Sequence, residues 1–305
     1  MANTIAYATL FQNELDKQIV QLATSGWMED NAGQVIYNGG SEIKIPKLAL
    51  DGLKDYNRAT GYAAGAVDFS YQTKEMTQDR GTSFHLDAMD VNETNFVLNA
   101  STVMSEFQRT KVVPEIDAYR YSTIAAAAVA ASRSETYTLA EATIVAKLYS
   151  HIFKLADAGV DMANMVITMS YPAYQTLTTN SSIQKKLDVG QFTKGNVTTE
   201  IKFLEGIPLI PVSSDRMKTA FVFNDGTTSG QTAGGFVPAS GAKDVNWIVT
   251  ARTTPIAVSK TDVPRIFDPM TNQAANAWKI DYRKYHDLFI PDNQLAKAVF
   301  VAVGA

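Results

Sequence analysis

The sequence contains no cysteine in 305 residues. That absence excludes disulfide frameworks, thiolate nucleophiles and cysteine-ligated zinc, and leaves packing and association to supply stability. Histidine is nearly as scarce. His85, His151 and His286 stand far apart, none in the i, i+4 spacing that puts two imidazoles on one metal, so each reads as structural. No run approaches the ~18 uninterrupted apolar residues of a membrane span, and no membrane partner is expected. The opening Met1-Ala2-Asn3-Thr4-Ile5 lacks the basic start and apolar core of a secretory signal. Positive charge is not in excess: 27 Lys and Arg face 31 Asp and Glu, a formal net charge of −4. The broad basic surface of a protein that grips a phosphate backbone is therefore excluded.

Catalytic patterns are also missing. There is no Gly-x-Ser-x-Gly elbow, and the glycine-rich stretch 225–235 lacks the Lys-Ser/Thr ending of a phosphate-binding loop. The carboxylate pairs Glu29-Asp30 and Asp87 with Asp90 fall in turns and at a helix cap. No catalytic residue, cofactor site or metal site is expected.

The remaining composition, 46% hydrophobic and 19% charged, is that of a chain that folds. From Tyr7 to Ala23 the residues Leu10, Phe11, Leu15, Ile19 and Leu22 recur at helical spacing, which predicts an amphipathic helix stopped at Ser25-Gly26. Trp27 and Met28 then leave an apolar patch with little of its own segment to pack against. From Ile36 to Asp87 the period becomes two. Ile43 and Ile45 alternate with Glu42 and Lys44; Val67, Phe69 and Tyr71 with Asp68, Ser70 and Gln72; Phe84 and Leu86 follow the same rule. Asp51 to Gly65, rich in Gly, Asn and Asp, reads as the tip of a long hairpin. Two strands alone are marginal in water, so the hairpin wants a partner, in a larger sheet of the same chain or in another chain.

Asp90-Val91-Asn92-Glu93 fits a capping box, and Phe96, Ala100, Val103, Met104 and Phe107 follow on one face, then Val112, Ile116, Tyr119 and Ile124. Pro114 predicts a kink or a junction of two helices. A second helix is predicted over 139–158 with Ile144, Leu148, Ile152 and Leu155 buried, stopped by Gly159. Strands are predicted at 165–169, 201–204, 207–212, 220–223 and 247–251, a short helix at 171–178, and a flexible surface loop over 224–244. The tail alternates at Trp278, Ile280 and Tyr282, turns near Pro291 and ends in a strand, 298–303, tied into a sheet.

The segment Asp79-Arg80-Gly81-Thr82-Ser83-Phe84-His85-Leu86-Asp87-Ala88-Met89-Asp90, followed by Glu93-Thr94-Asn95-Phe96 and by Arg109-Thr110-Lys111-Val112-Val113-Pro114-Glu115-Ile116-Asp117-Ala118-Tyr119, resembles the major capsid proteins of tailed bacteriophages. The tail Trp278-Lys279-Ile280-Asp281-Tyr282-Arg283-Lys284-Tyr285-His286-Asp287 resembles the C-terminal strands of the same family. The resemblance implies an α+β, Hong Kong-97-type capsid fold. Its parts would be an N-terminal arm (1–35), an extended hairpin loop (36–86), a peripheral domain with a spine helix (87–134 and 256–305) and an axial domain (135–255). It implies a coat protein that self-associates into hexamers and pentamers of an icosahedral shell enclosing double-stranded DNA, contacted non-specifically. Such a shell would sit in the virion and assemble in the bacterial host cytoplasm. A separate scaffolding protein is expected because Met1 leads almost directly into the arm, and a portal protein is the further partner. Arg80 to Leu86 would be the return strand of the hairpin. Inter-subunit contacts would fall at Leu10, Leu15, Trp27, Lys54, Arg58, Tyr62, Phe69, Tyr71 and Arg80. Neither Lys54 nor Lys74 matches a crosslinking motif. The alternatives are an encapsulin-type compartment shell, which shares the fold, and a soluble α/β enzyme.

Overall fold

The computed structural model describes residues 23–37, 41–89, 100–180, 187–194 and 197–305. All but the last residue of the predicted first helix, and the capping box at Asp90, lie outside the described residues. A 3-10 helix, Gly26–Gln34, opens the described chain. Strands β1 (Ile36–Tyr37), β2 (Glu42–Leu50) and β3 (Val67–Glu75) form an antiparallel sheet in which Ile43 faces Lys74 and Leu50 faces Val67. This is the hairpin that the alternation announced.

Strand β4 (Gln78–Asp87) then leaves that sheet. A long helix follows, Ala100–Phe107 and Val113–Ala130, joined by a π turn at Gln108–Val112. Pro114 does not break it. The Val113 N–H reaches back five residues to the Gln108 carbonyl, and the widened turn accommodates a ring that has no N–H to donate.

The chain continues through β5 (Ser134–Thr136), a helix at Glu141–Asp157, β6 (Met165–Ser170) and a helix at Tyr171–Thr179. Next come β7 (Leu187–Lys194), β8 (Val197–Leu204), β9 (Ile207–Val212), β10 (Phe221–Phe223), β11 (Phe236–Pro238) and β12 (Val245–Ala251). It closes with β13 (Ile256–Phe267), β14 (Ala277–Phe289), a helix at Asp292–Ala298 and β15 (Val299–Val303).

Seven strands form the main sheet in the order β5-β15-β12-β6-β9-β8-β7. Strands β6, β12 and β15 are buried along their whole length, as their near-continuous apolar runs require for a sheet covered on both faces. Tyr121, Ile124, Ala125 and Ala128 of the long helix pack on one face with Val166, Ile248 and Val301. Ile144, Leu148, Ile152 and Leu177, from the helices at Glu141–Asp157 and Tyr171–Thr179, pack on the other with Ile167, Trp247 and Val249. The first half of the long helix carries a second sheet, β13-β14-β4, through Met104, Val112 and Ile116 against Ile280 and Tyr282.

Four expectations are corrected. Strand β4 is not the return strand of the hairpin: it pairs with β14, Leu86 opposite Trp278 and Arg80 opposite Lys284, and the return strand is β3. The last strand does not stay with the other C-terminal strands of 256–305. It inserts between β5 and β12 in the main sheet. The stretch 224–244 is not all loop, because it contains β11, which pairs with β10 just before it. The turn near Pro291 is the start of the helix at Asp292–Ala298. For β4 and the last strand a partner distant in sequence decides the pairing, and local periodicity does not record it.

Candidate functional site

The hairpin changes its apolar side along its length. At the root, Ile43 and Ile45 project to one side and are buried with Met76 against Ile256, Val258 and Phe289. Beyond Ile45 that side becomes polar: Lys47 faces Ser70 and Ala49 faces Asp68. The opposite side becomes apolar, with three cross-strand pairs in succession, Pro46 with Tyr71, Leu48 with Phe69 and Leu50 with Val67. These side chains are open to solvent, Leu48 at 55%, Phe69 at 56% and Val67 at 70%. The Phe69 and Tyr71 rings meet edge to face, centroids 5.0 Å apart.

The tip is structured. Asp51 extends the ladder, its N–H donating to the Ala66 carbonyl at 3.1 Å, while its carboxylate accepts from Ala66 N at 3.0 Å and Lys54 Nζ at 3.0 Å. The Ala66 amide, and then Lys54, hold that carboxyl below the usual carboxylate range. Lys54 also donates to the Ala64 carbonyl at 2.6 Å. Asn57 and Gly61 exchange backbone bonds, with Gly61 at φ +81°, a conformation that favours glycine. Tyr56 and Tyr62 pack edge to face at 4.9 Å.

Of the residues singled out from the sequence, Phe69 and Tyr71 share the exposed apolar face, and Tyr62 and Arg58 stand exposed at the tip. Lys54 is a brace within the tip. Two are corrected. Trp27 offers no surface: at 1% exposure it lies with Met28 beneath the long helix, in the core that contains Tyr121 and Ile124. Arg80 is engaged within its own chain, by the Glu115 carboxylate, the Gly235 carbonyl at 3.2 Å and the face of Phe223. Leu10 and Leu15 lie outside the described residues. Sequence reasoning missed Leu48 and Leu50. They are spaced by two, and only the register with Val67 and Phe69 reveals one continuous face.

Two buried carboxylates fix the surrounding frame. Asp117, on the long helix, accepts from Thr24 N at 3.1 Å, Thr24 Oγ1 at 2.7 Å, Ser25 N at 3.1 Å, Ser25 Oγ at 2.6 Å and Arg216 Nη1 at 3.0 Å. Asp287, on β14, accepts from Thr77 N at 2.8 Å, Thr77 Oγ1 at 3.0 Å, Tyr119 Oη at 2.5 Å and Leu288 N at 2.7 Å. Burial, and then the Asp287 charge, push the Tyr119 phenol far up. His151 is held between the Trp247 indole N–H, 3.0 Å from its Nδ1, and Glu135, 3.1 Å from its Nε2. The Lys147 and His151 hydrogen bonds bring the Glu135 carboxyl down to about 2. Among the described residues no group of His, Asp and Glu could hold a metal ion, and no helix is long and apolar enough to cross a membrane.

A sheet covered by helices on both faces, a second sheet riding on the same long helix and a projecting hairpin together make the fold of phage capsid proteins. Solved structures carry the likeness. The capsid of cyanophage P-SCSP1u is similar at TM-score 0.61 and 11% identity, covering 87% of this chain and 84% of that one. The mature capsid of bacteriophage PhiM1 is similar at TM-score 0.57 and 10% identity, covering 88% and 84%. The virus-like particle from Pyrococcus furiosus is similar at TM-score 0.54 and 8% identity, covering 97% and 99%. No family model and no curated protein matches the sequence. The likeness is one of fold, and the capsid fold expected from the sequence is the one observed.

Proposed function

We propose that this chain is the major shell subunit of a tailed bacteriophage, associating with copies of itself into hexamers and pentamers of an icosahedral shell around double-stranded DNA. The observation that carries this reading is the solvent-exposed apolar face of β2 and β3 on a hairpin of a capsid-fold chain. Large apolar side chains each contribute about 1.5–3 kcal/mol on full burial. Leu48, Leu50, Val67, Phe69 and Tyr71 thus form a driving surface that the chain's own body leaves uncovered, and a second copy is the partner that supplies the cover. Weak contacts repeated around closed symmetry make a stable shell. The net charge of −4 suits a wall that contains DNA without gripping it. On this reading a scaffolding protein and a portal are the further partners, the virion is the final location and the host cytoplasm the place of assembly. The subunit performs no catalytic step and takes no cofactor.

Electron microscopy and sedimentation of the purified chain, with and without a co-expressed scaffold, should show rings, tubes or shells. Charging the face with Leu48→Asp and Phe69→Asp should leave a folded chain that no longer associates. A wild-type chain that stays monomeric at high concentration would overturn the reading. The likeness to the virus-like particle from Pyrococcus furiosus, over nearly all of both chains, favours a second reading as a cellular compartment shell. Particle contents separate the two: nucleic acid for the first, a co-purifying protein cargo for the second.

A further inference from the structure

The hairpin meets the body at a joint of two residues. β3 ends at Glu75 in one sheet and β4 begins at Gln78 in another, so Met76 and Thr77 carry the change of direction. Met76 continues the β2–β3 register by one residue, and past its N–H the polar groups of the joint turn to β14. The Met76 N–H donates to the Ser41 carbonyl at 2.9 Å, and the Met76 carbonyl accepts from Tyr285 Oη at 3.1 Å. Thr77 donates both its N–H and its hydroxyl to Asp287 Oδ2. Tyr285 and Asp287 are alternate residues of β14, so one strand of the body grips both halves of the joint. Asp287 is 4% exposed, and its other oxygen takes the Tyr119 hydroxyl from the long helix. Beyond the joint, β3 touches the body through a longer pair, Lys74 with Asp292 at 3.6 Å.

We propose that Asp287 is a positioning residue for assembly: by holding Thr77 against Tyr119 it sets the angle at which the hairpin leaves the body. The proposal rests on the shell-subunit reading for its consequence, but not for its geometry. The donors at the joint are two backbone amides, the Thr77 hydroxyl and two tyrosine hydroxyls on rigid rings, so the network has one arrangement that satisfies all its members. Loosening Thr77 leaves the root held by the apolar packing of Ile43, Ile45 and Met76 on Ile256, Val258 and Phe289, which has no directional bond to fix an angle, and small shifts there swing the distal apolar face widely.

The chain has no native cysteine, so Thr60→Cys at the tip and Asp157→Cys on the body give a clean pair of spin labels. Pulsed dipolar spectroscopy on the dilute chain should give one narrow distance distribution. Thr77→Val, which keeps the shape and removes the hydroxyl, should broaden it about twofold, and Thr77→Ser should restore it. Asp287→Asn, with a single oxygen left to accept, should broaden it as well. The same variants should give mixed particle sizes where the parent gives one. Melting temperatures are recorded in parallel: a fall in stability with an unchanged distribution for both Thr77→Val and Asp287→Asn would overturn the assignment. A parent chain that fails to assemble removes the shell reading, while the label distances still decide the hinge.

Discussion

Asp117 has no exposed surface, and all five of its contacts donate to it. Four come from Thr24 and Ser25 and one from Arg216, so a single side chain ties the start of the described chain and the segment after β9 to the long helix. Asp117→Ala leaves those donors and a guanidinium without an acceptor, and should cost about 3–5 kcal/mol. Urea unfolding measures this, and a loss below about 1 kcal/mol would show that water replaces the carboxylate. The histidines set a pH dependence. Burial lowers the pKa of both His151 and His286, the latter also through the positive charge of Lys284, Arg120 and Arg80. The unfolded chain therefore binds protons that the folded chain refuses. Stability is full above the ordinary value of 6.5 and falls as the pH drops below it. Glu135, depressed to about 2, adds a further loss below its ordinary 4.5. Melting temperature should decline from pH 7 to pH 5, and a flat profile would contradict the burial of these rings. The isolation of the histidines in sequence said nothing of the burial of His151 and His286, which distant partners decide. The hub at Asp117 was not legible, because its donors lie 92 to 99 residues away.

Elements with a strong period were read closely. The helix at Glu141–Asp157 buries the four residues its stripe named and ends before Gly159, whose φ of +93° explains the stop. Strands β2 and β3 were legible from alternation, but the switch of apolar side between Ile45 and Pro46 was not. It depends on which residues face each other and on what covers the root. Pro114 marked the junction of two helices, Ala100–Phe107 and Val113–Ala130, but not the π turn through which they meet. The tip makes an element-scale prediction. Residues 51–60 are all exposed, and the tip's hydrogen bonds run among Asp51, Lys54, Ala64 and Ala66 and among Asn57, Ala59 and Gly61. Replacing 52–65 with Asn-Gly, a turn that suits a two-residue hairpin, should leave the melting temperature within about 2 °C. The same variant should lose particle assembly in electron micrographs. Normal shells from it would refute the assignment of the hairpin as the reaching contact.

At the scale of the whole molecule, the chain closes on itself through its last strand. The tail was expected to end in a sheet, but local alternation cannot say which one. β14 lies in the sheet carried by the front of the long helix, the helix at Asp292–Ala298 crosses over, and β15 enters the main sheet between β5 and β12. The long helix packs on both sheets, so it and this crossover are two separate ties between them. Strand β15 therefore stabilises more than its five residues suggest. Val299, Phe300, Val301, Ala302 and Val303 are all buried, and their loss also uncovers β12 and leaves β5 without its partner. The large side chains alone contribute about 1.5–3 kcal/mol each, against about 5–15 kcal/mol for a folded domain. Truncation after Ala298 should thus give an insoluble chain, or one without a cooperative melt by circular dichroism. Removal of twice as many residues from the hairpin tip should be tolerated. A soluble truncated chain with an unchanged melting curve would mean that the two sheets hold together without the strand that joins them.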